Sequence, residues 1–232
     1  MFRFKQFSVC DEHCAMKVGT DGVLLGAWAD VTGDGVILDA CTGTGIIALM
    51  VAQRNVDADI YALDIVPEAV AEARGNADRS PWGQRITTLC CDLNEYATDT
   101  VFDHIVCNPP YFVDSHQAPD VARNLARHTV GLSFEQLVSA VERLLRVGGR
   151  FSVILPAEGA AYFRRVAFER LWLRRQTDVV TTVGSAPKRT LMEFVRCAEP
   201  IMPRCDRLTI HGDGGSYTEE YRLLTEDFYL MF

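Results

Sequence analysis

The tetrapeptide Asn108-Pro109-Pro110-Tyr111 follows the apolar run Phe102 to Cys107 and combines an amide, two prolines and an aromatic ring. A residue that precedes proline is pushed toward extended geometry, so Asn108 and Pro109 are both held stiffly where the run ends. The Asn108 amide oxygen and the Pro109 carbonyl can then accept hydrogen bonds from one planar amino group. An exocyclic amine on an aromatic base is a weak nucleophile, because its lone pair is delocalised into the ring. Two acceptors draw its N–H bonds outward and favour the pyramidal nitrogen that develops as the amine attacks, which is stabilisation aimed at the transition state. Tyr111 is placed to stack on the ring, a contact worth roughly 1–3 kcal/mol per base.

A second group of residues lies upstream. Asp39-Ala40-Cys41-Thr42-Gly43-Thr44-Gly45 follows an apolar run and opens a helical pattern. Glycine lets backbone approach a ligand there, and the helix start supplies free N–H donors. Asp64 ends the next apolar run, 21 residues after Gly43, at the distance where an acid accepts hydrogen bonds from ribose hydroxyls. Gly43, Gly45 and Ala48 nominally satisfy the dinucleotide spacing, and these features alone do not separate a nicotinamide cofactor from S-adenosylmethionine. Asp39 weighs for the second: a carboxylate repels a pyrophosphate and attracts a sulfonium and an ammonium. Asp39, Asp64 and Asp92 all end strand-like runs; the bland alternative is that they are turn formers.

These residues need elements that bring them to one edge. From about Val36 onward helical and strand-like periods alternate, as in βαβ units feeding a mostly parallel sheet. The runs Val36 to Ala40, Ile60 to Asp64, Ile86 to Cys91, Phe102 to Cys107 and Phe151 to Leu155 read as buried strands. Gly45 to Arg54 and Pro67 to Ala77 read as helices, the second with proline in its first turn. Ser133 and Gln136 have capping-box spacing ahead of the stripe Leu137, Val138, Val141, Leu144 and Leu145, with Gly148-Gly149 as the expected stop. Val179 to Val183 and Leu191 to Cys197 suggest an antiparallel pair at one sheet edge, and Phe2 to Val9 a small N-terminal strand pair. Phe112 to Gly131 is too long for an ordinary connection. No linker divides the chain, so one domain over residues 1–232 is expected.

Composition fits a folded protein: of 232 residues 48% are hydrophobic and 23% charged, which excludes disorder and fibrous repeats. No apolar run reaches the roughly 18–20 residues of a membrane span, and Met1 to Lys17 lacks a signal peptide's apolar stretch, so a cytoplasmic chain is expected. None of the eight cysteines forms a C-x-x-C pair and the five histidines lack ligand spacing; reduced, mostly buried thiols, structural histidines and no metal follow. Net charge is −8, yet Arg143 to Arg189 holds ten Arg and Lys against three acids, a local +7. Arg146, Arg150, Arg164, Arg165, Arg170, Arg174, Arg175, Lys188 and Arg189 suit a phosphate-facing surface; the bland reading is a solvated face.

The glycine loop, Asp64, Cys91-Asp92-Leu93 and Asn108-Pro109-Pro110-Tyr111, in that order, resemble the motifs of class I S-adenosylmethionine-dependent amino methyltransferases. More narrowly, Phe4-Lys5-Gln6-Phe7, Cys14 to Gly22, Leu125-Ala126-Arg127-His128, Leu191-Met192-Glu193-Phe194 and Thr225 to Leu230 resemble the bacterial valine-tRNA adenine-N6 methyltransferases over nearly the whole chain. The resemblance implies an α/β, Rossmann-like fold: a seven-stranded, mostly parallel sheet with an antiparallel edge strand, helices on both faces and residues 1–30 over the cofactor. It implies S-adenosylmethionine as methyl donor and methylation at N6 of adenosine 37, just 3′ of the anticodon, in one valine tRNA. Carried over by position, Asp39, Gly43 and Gly45 hold the methionine portion, Asp64 the ribose, and Asp92 with Leu93 the adenine, with Ile65 also among the cofactor-binding residues. Lys17 and Thr20 match the covering segment, and Asn108 borders both cofactor and substrate. Arg164, Arg165, Lys188 and Arg189 are the expected contacts to the tRNA anticodon loop, and a monomer is expected. Cys41 departs from the glycine many methyltransferases have at this turn. Other planar amines, on rRNA, DNA or protein glutamine, share the pocket chemistry; a nicotinamide-dependent oxidoreductase or nucleotide-binding regulator is the alternative outside methyl transfer.

Overall fold

The computed structural model describes residues 1–14, 17–110 and 132–232. Its opening residues form the small antiparallel pair β1 (Phe2–Arg3) and β2 (Ser8–Val9), followed by helix α1 (Thr20–Trp28). The alternation expected from Val36 is present as β3 (Val36–Ala40), α2 (Ile46–Arg54), β4 (Asp59–Asp64), α3 (Pro67–Asp78), β5 (Ile86–Cys90) and β6 (Phe102–Cys107). Then come α4 (Phe134–Leu144), β7 (Leu145–Pro156), α5 (Ala157–Ala167), β8 (Trp172–Thr182), β9 (Arg189–Val195), β10 (Arg204–His211) and α6 (Glu219–Thr225). Tyr111 and the long connection from Phe112 to Gly131 lie outside the described residues.

Among the described residues the main sheet has eight strands, in the order β10-β8-β9-β7-β6-β3-β4-β5. Only β9 runs against the others, and it lies between β7 and β8. The Rossmann-like α/β fold is as expected, but the seven-stranded sheet with an antiparallel edge strand is not: β10 pairs in parallel with β8 and takes the edge. Within Arg204 to His211 only Leu208 is buried, and apolar alternation is confined to Leu208 and Ile210, too short a run for a sequence reading to detect.

Helix α4 keeps its capping box: the Gln136 amide donates to Ser133 Oγ at 3.2 Å and the Ser133 amide to Gln136 Oε1 at 2.8 Å. It ends at Leu144 rather than at the glycine pair, because Leu145 is already extended (φ −83°, ψ 135°). Gly148, at φ +77°, serves a bulge inside β7, where the register with β6 shifts between Phe102 and His104. Helix α1 is buried on nearly every side and packs closely on α2: a Cβ at Gly26 would lie 2.8 Å from Met50 Sδ, and one at Gly22 3.1 Å from Ile46 Cγ2. One apolar layer joins α1, α2 and the terminal segments to the sheet, and a second joins α4 and α5 to its other face.

His104 is fully buried, with Nδ1 3.0 Å from Asp34 Oδ2 and Nε2 2.9 Å from Ser152 Oγ. This Ser-His-Asp row has the contacts of a hydrolytic triad, but His104 and Ser152 are wholly buried side by side in β6 and β7, short of the carboxyl edge, with Asp34 nearly so, and the row is structural. Arg150 completes the cluster, with Nη2 2.8 Å from Asp34 Oδ1 and Nη1 3.0 Å from Asp30 Oδ2. The cysteines are all free thiols, though only Cys14 and Cys107 are buried and Cys90 and Cys205 are exposed; mostly buried thiols was too strong an expectation.

Candidate active site

Four adjacent strands end level with one another. Ala40 of β3 pairs with both Leu63 of β4 and Cys107 of β6, and Asp64 pairs with Cys90 of β5. The residues that leave these ends are therefore, across the sheet, Asn108, Cys41, Asp64 with Ile65, and Cys91-Asp92. Strand spacing near 4.8 Å puts about 14 Å between the first and the last. The chain leaves β3 on one side for β4 and returns on the other as β6, so Asn108 and the glycine loop flank a topological switch point, where open α/β sheets bind ligands. Asn108 is half-buried and Pro109 buried.

Between β3 and α2 the backbone passes three times through the left-handed region, at Cys41 (φ 60°), Gly43 (φ 55°) and Gly45 (φ 80°). Gly43 is required by its φ, since nothing lies within 4 Å of a Cβ there; at Gly45 a Cβ would also come within 3.1 Å of Ala73 Cβ. The loop is tied down by acids. Asp64 Oδ2 accepts the Gly43 amide at 2.8 Å and its Oδ1 the Val66 amide at 3.0 Å. Asp39, fully buried, accepts the Thr42 hydroxyl at 2.5 Å and the Ala48 amide at 3.0 Å, both on Oδ2. Burial pushes its carboxyl up to about 7, against those two donors. Its Oδ1 is buried with no hydrogen-bond partner among the described residues. Cys107 beneath the loop is held far above the usual thiol range by burial and by the neighbouring Cys41 thiol, so it is no thiolate nucleophile.

Asp92 folds its own turn, with Oδ1 accepting the Asn94 amide at 2.8 Å and the Asn94 side chain at 2.9 Å, and Leu93 is buried beside it. Three residues to which the sequence reading gave no place at the cleft support the site. Arg143, in the last turn of α4, donates to the carbonyls of Leu93, Asn94 and Tyr96, fixing the Asp92 turn. Glu72 on α3 accepts the backbone amides of Glu12, His13 and Cys14 at 2.7, 3.1 and 2.8 Å. Asn76, one turn on, bonds both ways with Cys10 and also donates to the Thr44 carbonyl in the glycine loop. The only sequence trace of the last two is an i, i+4 pair of polar residues on an alanine-rich helix.

Lys17 turns back on its own loop, donating to the carbonyls of Asp11 and Glu12, and Thr20 opens α1 on the side of Lys188. The structure thus gathers Asp39, Gly43, Gly45, Asp64, Ile65, Asp92, Leu93, Asn108, Pro109 and Pro110 at one edge; Lys17 stays with its own loop and Thr20 lines a separate groove beside Lys188.

The chain matches the family described as Methyltransferase small domain over residues 16–157. It belongs to that family. A Phocaeicola vulgatus protein named tRNA1(Val) (adenine(37)-N6)-methyltransferase is 50% identical over 99% of this chain and 97% of its own length. A Shewanella loihica protein of the same name is 42% identical, over 99% and 98%. Among solved structures, one described as a predicted O-methyltransferase from Agrobacterium tumefaciens superposes with a TM-score of 0.71 over 90% of this chain and 96% of its own, at 21% identity, a likeness of fold alone.

Family membership makes the chain a methyltransferase with S-adenosylmethionine as cofactor, and the nicotinamide and regulator readings fall. The residues fit that cofactor. The unpartnered Asp39 Oδ1 suits an ammonium, each Asp64 oxygen carries a single backbone donor and so keeps a lone pair for a ribose hydroxyl, and Leu93 offers an apolar wall to the adenine. For this methyltransferase the basic segment is less available than its +7 suggests. Arg146 pairs with Asp103, Arg150 with Asp30 and Asp34, Arg170 with Glu142, and Arg174 and Arg175 with the buried Glu193. Arg164 reaches Gln176, and Arg165 lies over the Tyr162 ring. Both sit in the last turn of α5, about two turns (~11 Å) from its start beside Lys188. Lys188 and Arg189 flank the carboxyl edge, so the four expected RNA contacts divide into two places.

Proposed function

We propose that this chain transfers the methyl group of S-adenosylmethionine to N6 of adenosine 37 in tRNA1(Val). One observation carries the reading: Asn108 and Pro109 leave the strand next to the glycine loop, so a planar amine held by them faces the acid-lined cleft. The bound cofactor supplies an electrophilic methyl carbon on a sulfonium. Asp39 and Asp64 would hold it; the Asn108 amide oxygen and the Pro109 carbonyl would accept hydrogen bonds from the two N6–H groups and orient the nitrogen lone pair into the cleft, the cofactor's methyl–sulfur bond being exchanged for the new N–C bond, with the electron pair left on sulfur and one N6 proton passing to solvent. Tyr111, the expected stacking residue, lies outside the described residues. In this reading residues 1–30 cover the cofactor within a single-domain, cytoplasmic, monomeric enzyme whose partner is the anticodon loop of a valine tRNA. Among the described residues no helix is long and apolar enough to cross a membrane, and no group of His, Cys, Asp or Glu is arranged to hold a metal.

Unmodified tRNA1(Val) incubated with the protein and S-adenosylmethionine, then digested and analysed by mass spectrometry, yields N6-methyladenosine at position 37 only. Asn108→Ala lowers kcat about 10²–10³-fold, the loss seen when one positioned hydrogen-bonding group is removed from a transition state, while cofactor Kd changes less than threefold. A near-normal rate in that variant removes Asn108 from its role.

A further inference from the structure

Away from the cofactor cleft but on the same carboxyl edge, a groove of about 340 Å³ is lined by Thr20, Lys188, Arg189, His211, Tyr217 and Tyr221, among others. We propose that this groove is a second nucleotide subsite, which holds one unstacked ribonucleotide of the RNA next to the methylated adenosine. The inference rests on the function proposed above.

The topology places it. Strand β8 runs parallel to β7 and β6, β10 runs parallel to β8, and β9 runs against them. The ends of β8 and β10 and the start of β9 therefore meet at the edge that carries Asn108. From β6 to β8 is three strand spacings, about 14 Å, so one RNA strand can reach both places.

The chemistry is that of a base on a flat wall with a cation for its phosphate. His211 stacks on Tyr217 with ring centroids 4.8 Å apart and planes at 27°, and Tyr217 stacks on Tyr221 at 5.1 Å and 19°. Phe232 meets both tyrosines edge-on, and Tyr221 is buried, so the stack is fixed from behind while His211 and Tyr217 remain partly exposed. A fixed aromatic platform binds a base without ordering cost and without regard to its identity. Arg189 Nε is held on Asp21 Oδ2 at 2.7 Å, which neutralises that pair and leaves the exposed Lys188 as the cation for a phosphate. In a chain of net charge −8, a cation beside a base platform marks where RNA is tolerated. The volume suits one nucleoside, at the lower end of small-ligand sites. The mechanism gives the groove a purpose: N6 is reached only when the target base leaves its stack, and a second stacking surface offsets the contacts its neighbour loses.

Steady-state methylation of full-length tRNA1(Val) tests this with the variants His211→Ala and Lys188→Ala, both at partly or fully exposed positions. His211→Ala raises KM for tRNA roughly 5-fold or more, toward the 150-fold upper bound for one stacked base, Lys188→Ala raises it by the loss of one phosphate contact, and both leave cofactor Kd unchanged. In direct binding of an anticodon stem-loop, Lys188→Ala also flattens the slope of log Kd against log salt by about 0.7–0.9. Unchanged KM and unchanged stem-loop binding in both variants overturn the subsite. Adenosine or uridine monophosphate that protects the wild type against heat as well as the stem-loop does, through His211, assigns the groove to free nucleotides and overturns the RNA assignment. If the wild type makes no methylated nucleoside, the proposed function fails, yet loss of stem-loop binding in the two variants still identifies the groove as an RNA site.

Discussion

Burial raises the Asp39 carboxyl to about 7, and its unpartnered Oδ1 is the acceptor the proposed function assigns to the cofactor's ammonium. A raised carboxyl contributes stability that is complete below its unfolded pKa, near 4, and is lost as pH rises through the folded value, so the ligand-free protein weakens between about pH 4 and 7 on account of this residue. A bound cation reverses the preference and draws the proton off. Cofactor affinity should therefore climb about tenfold per unit between pH 5.5 and 7, below the range near 7.7–8.0 where an α-amino group itself titrates. Calorimetry in buffers of different ionisation enthalpy should detect a proton released on binding, and Asp39→Asn should flatten the profile; equal slopes in both proteins refute the assignment. Cys41 shows what sequence alone conveys at this scale. Its departure from glycine was visible, but only its φ of 60° shows that the turn holds a side chain in the left-handed region.

Helix α3 does more than fill the space between β4 and β5. Glu72 gathers three backbone amides from residues 12–14. Burial alone would raise its carboxyl, but the amides and the Cys14 thiol outweigh burial and hold it below the usual range. Its stabilisation is present above the unfolded pKa of a glutamate and is lost as pH falls through the lower folded value. Glu72→Ala should cost about 1–3 kcal/mol, the penalty for stranded donors, speed hydrogen exchange at residues 12–14 and raise cofactor Kd. Unaltered exchange there would show that the segment is held by other contacts. The sequence revealed β3, β6 and the capping box of α4, because each is a local pattern. It concealed Glu72, whose partners lie about 60 residues away, and Arg143, which acts on carbonyls about 50 residues back. Helix α1 has no period because seven of its nine residues are buried, and β10 has only the short run at Leu208 and Ile210 because it is largely exposed. Asn108 was legible for the opposite reason: its rigidity comes from the two residues that follow it.

Across the whole molecule the two ends of the sheet carry different burdens. The carboxyl edge holds a raised acid, left-handed turns and an unpartnered oxygen, all of which cost stability until a ligand arrives. Toward the amino edge, His104, Asp34, Ser152 and Arg150 satisfy one another in a buried polar cluster, and Trp28 of α1 donates to Thr177 of β8 at 2.9 Å beneath the Arg175 guanidinium, 3.7 Å from the ring centroid. Such a cluster is costly to break, because removal of one member strands the others away from water. His104→Ala opens a cavity between β6 and β7 and strands Asp34 Oδ2 and Ser152 Oγ while Arg150 still holds Asp34 Oδ1, a loss of about 1–3 kcal/mol. The urea midpoint should fall accordingly with the slope unchanged. At a temperature where the variant is folded, its cofactor Kd should stay within about twofold of wild type, since none of the four residues touches the glycine loop. Asn108→Ala should show the converse, an unchanged midpoint with turnover lost. If His104→Ala lost cofactor binding while its native circular dichroism persisted, the division of labour between the two edges would be wrong, and the buried cluster would have to be counted among the groups that shape the cleft.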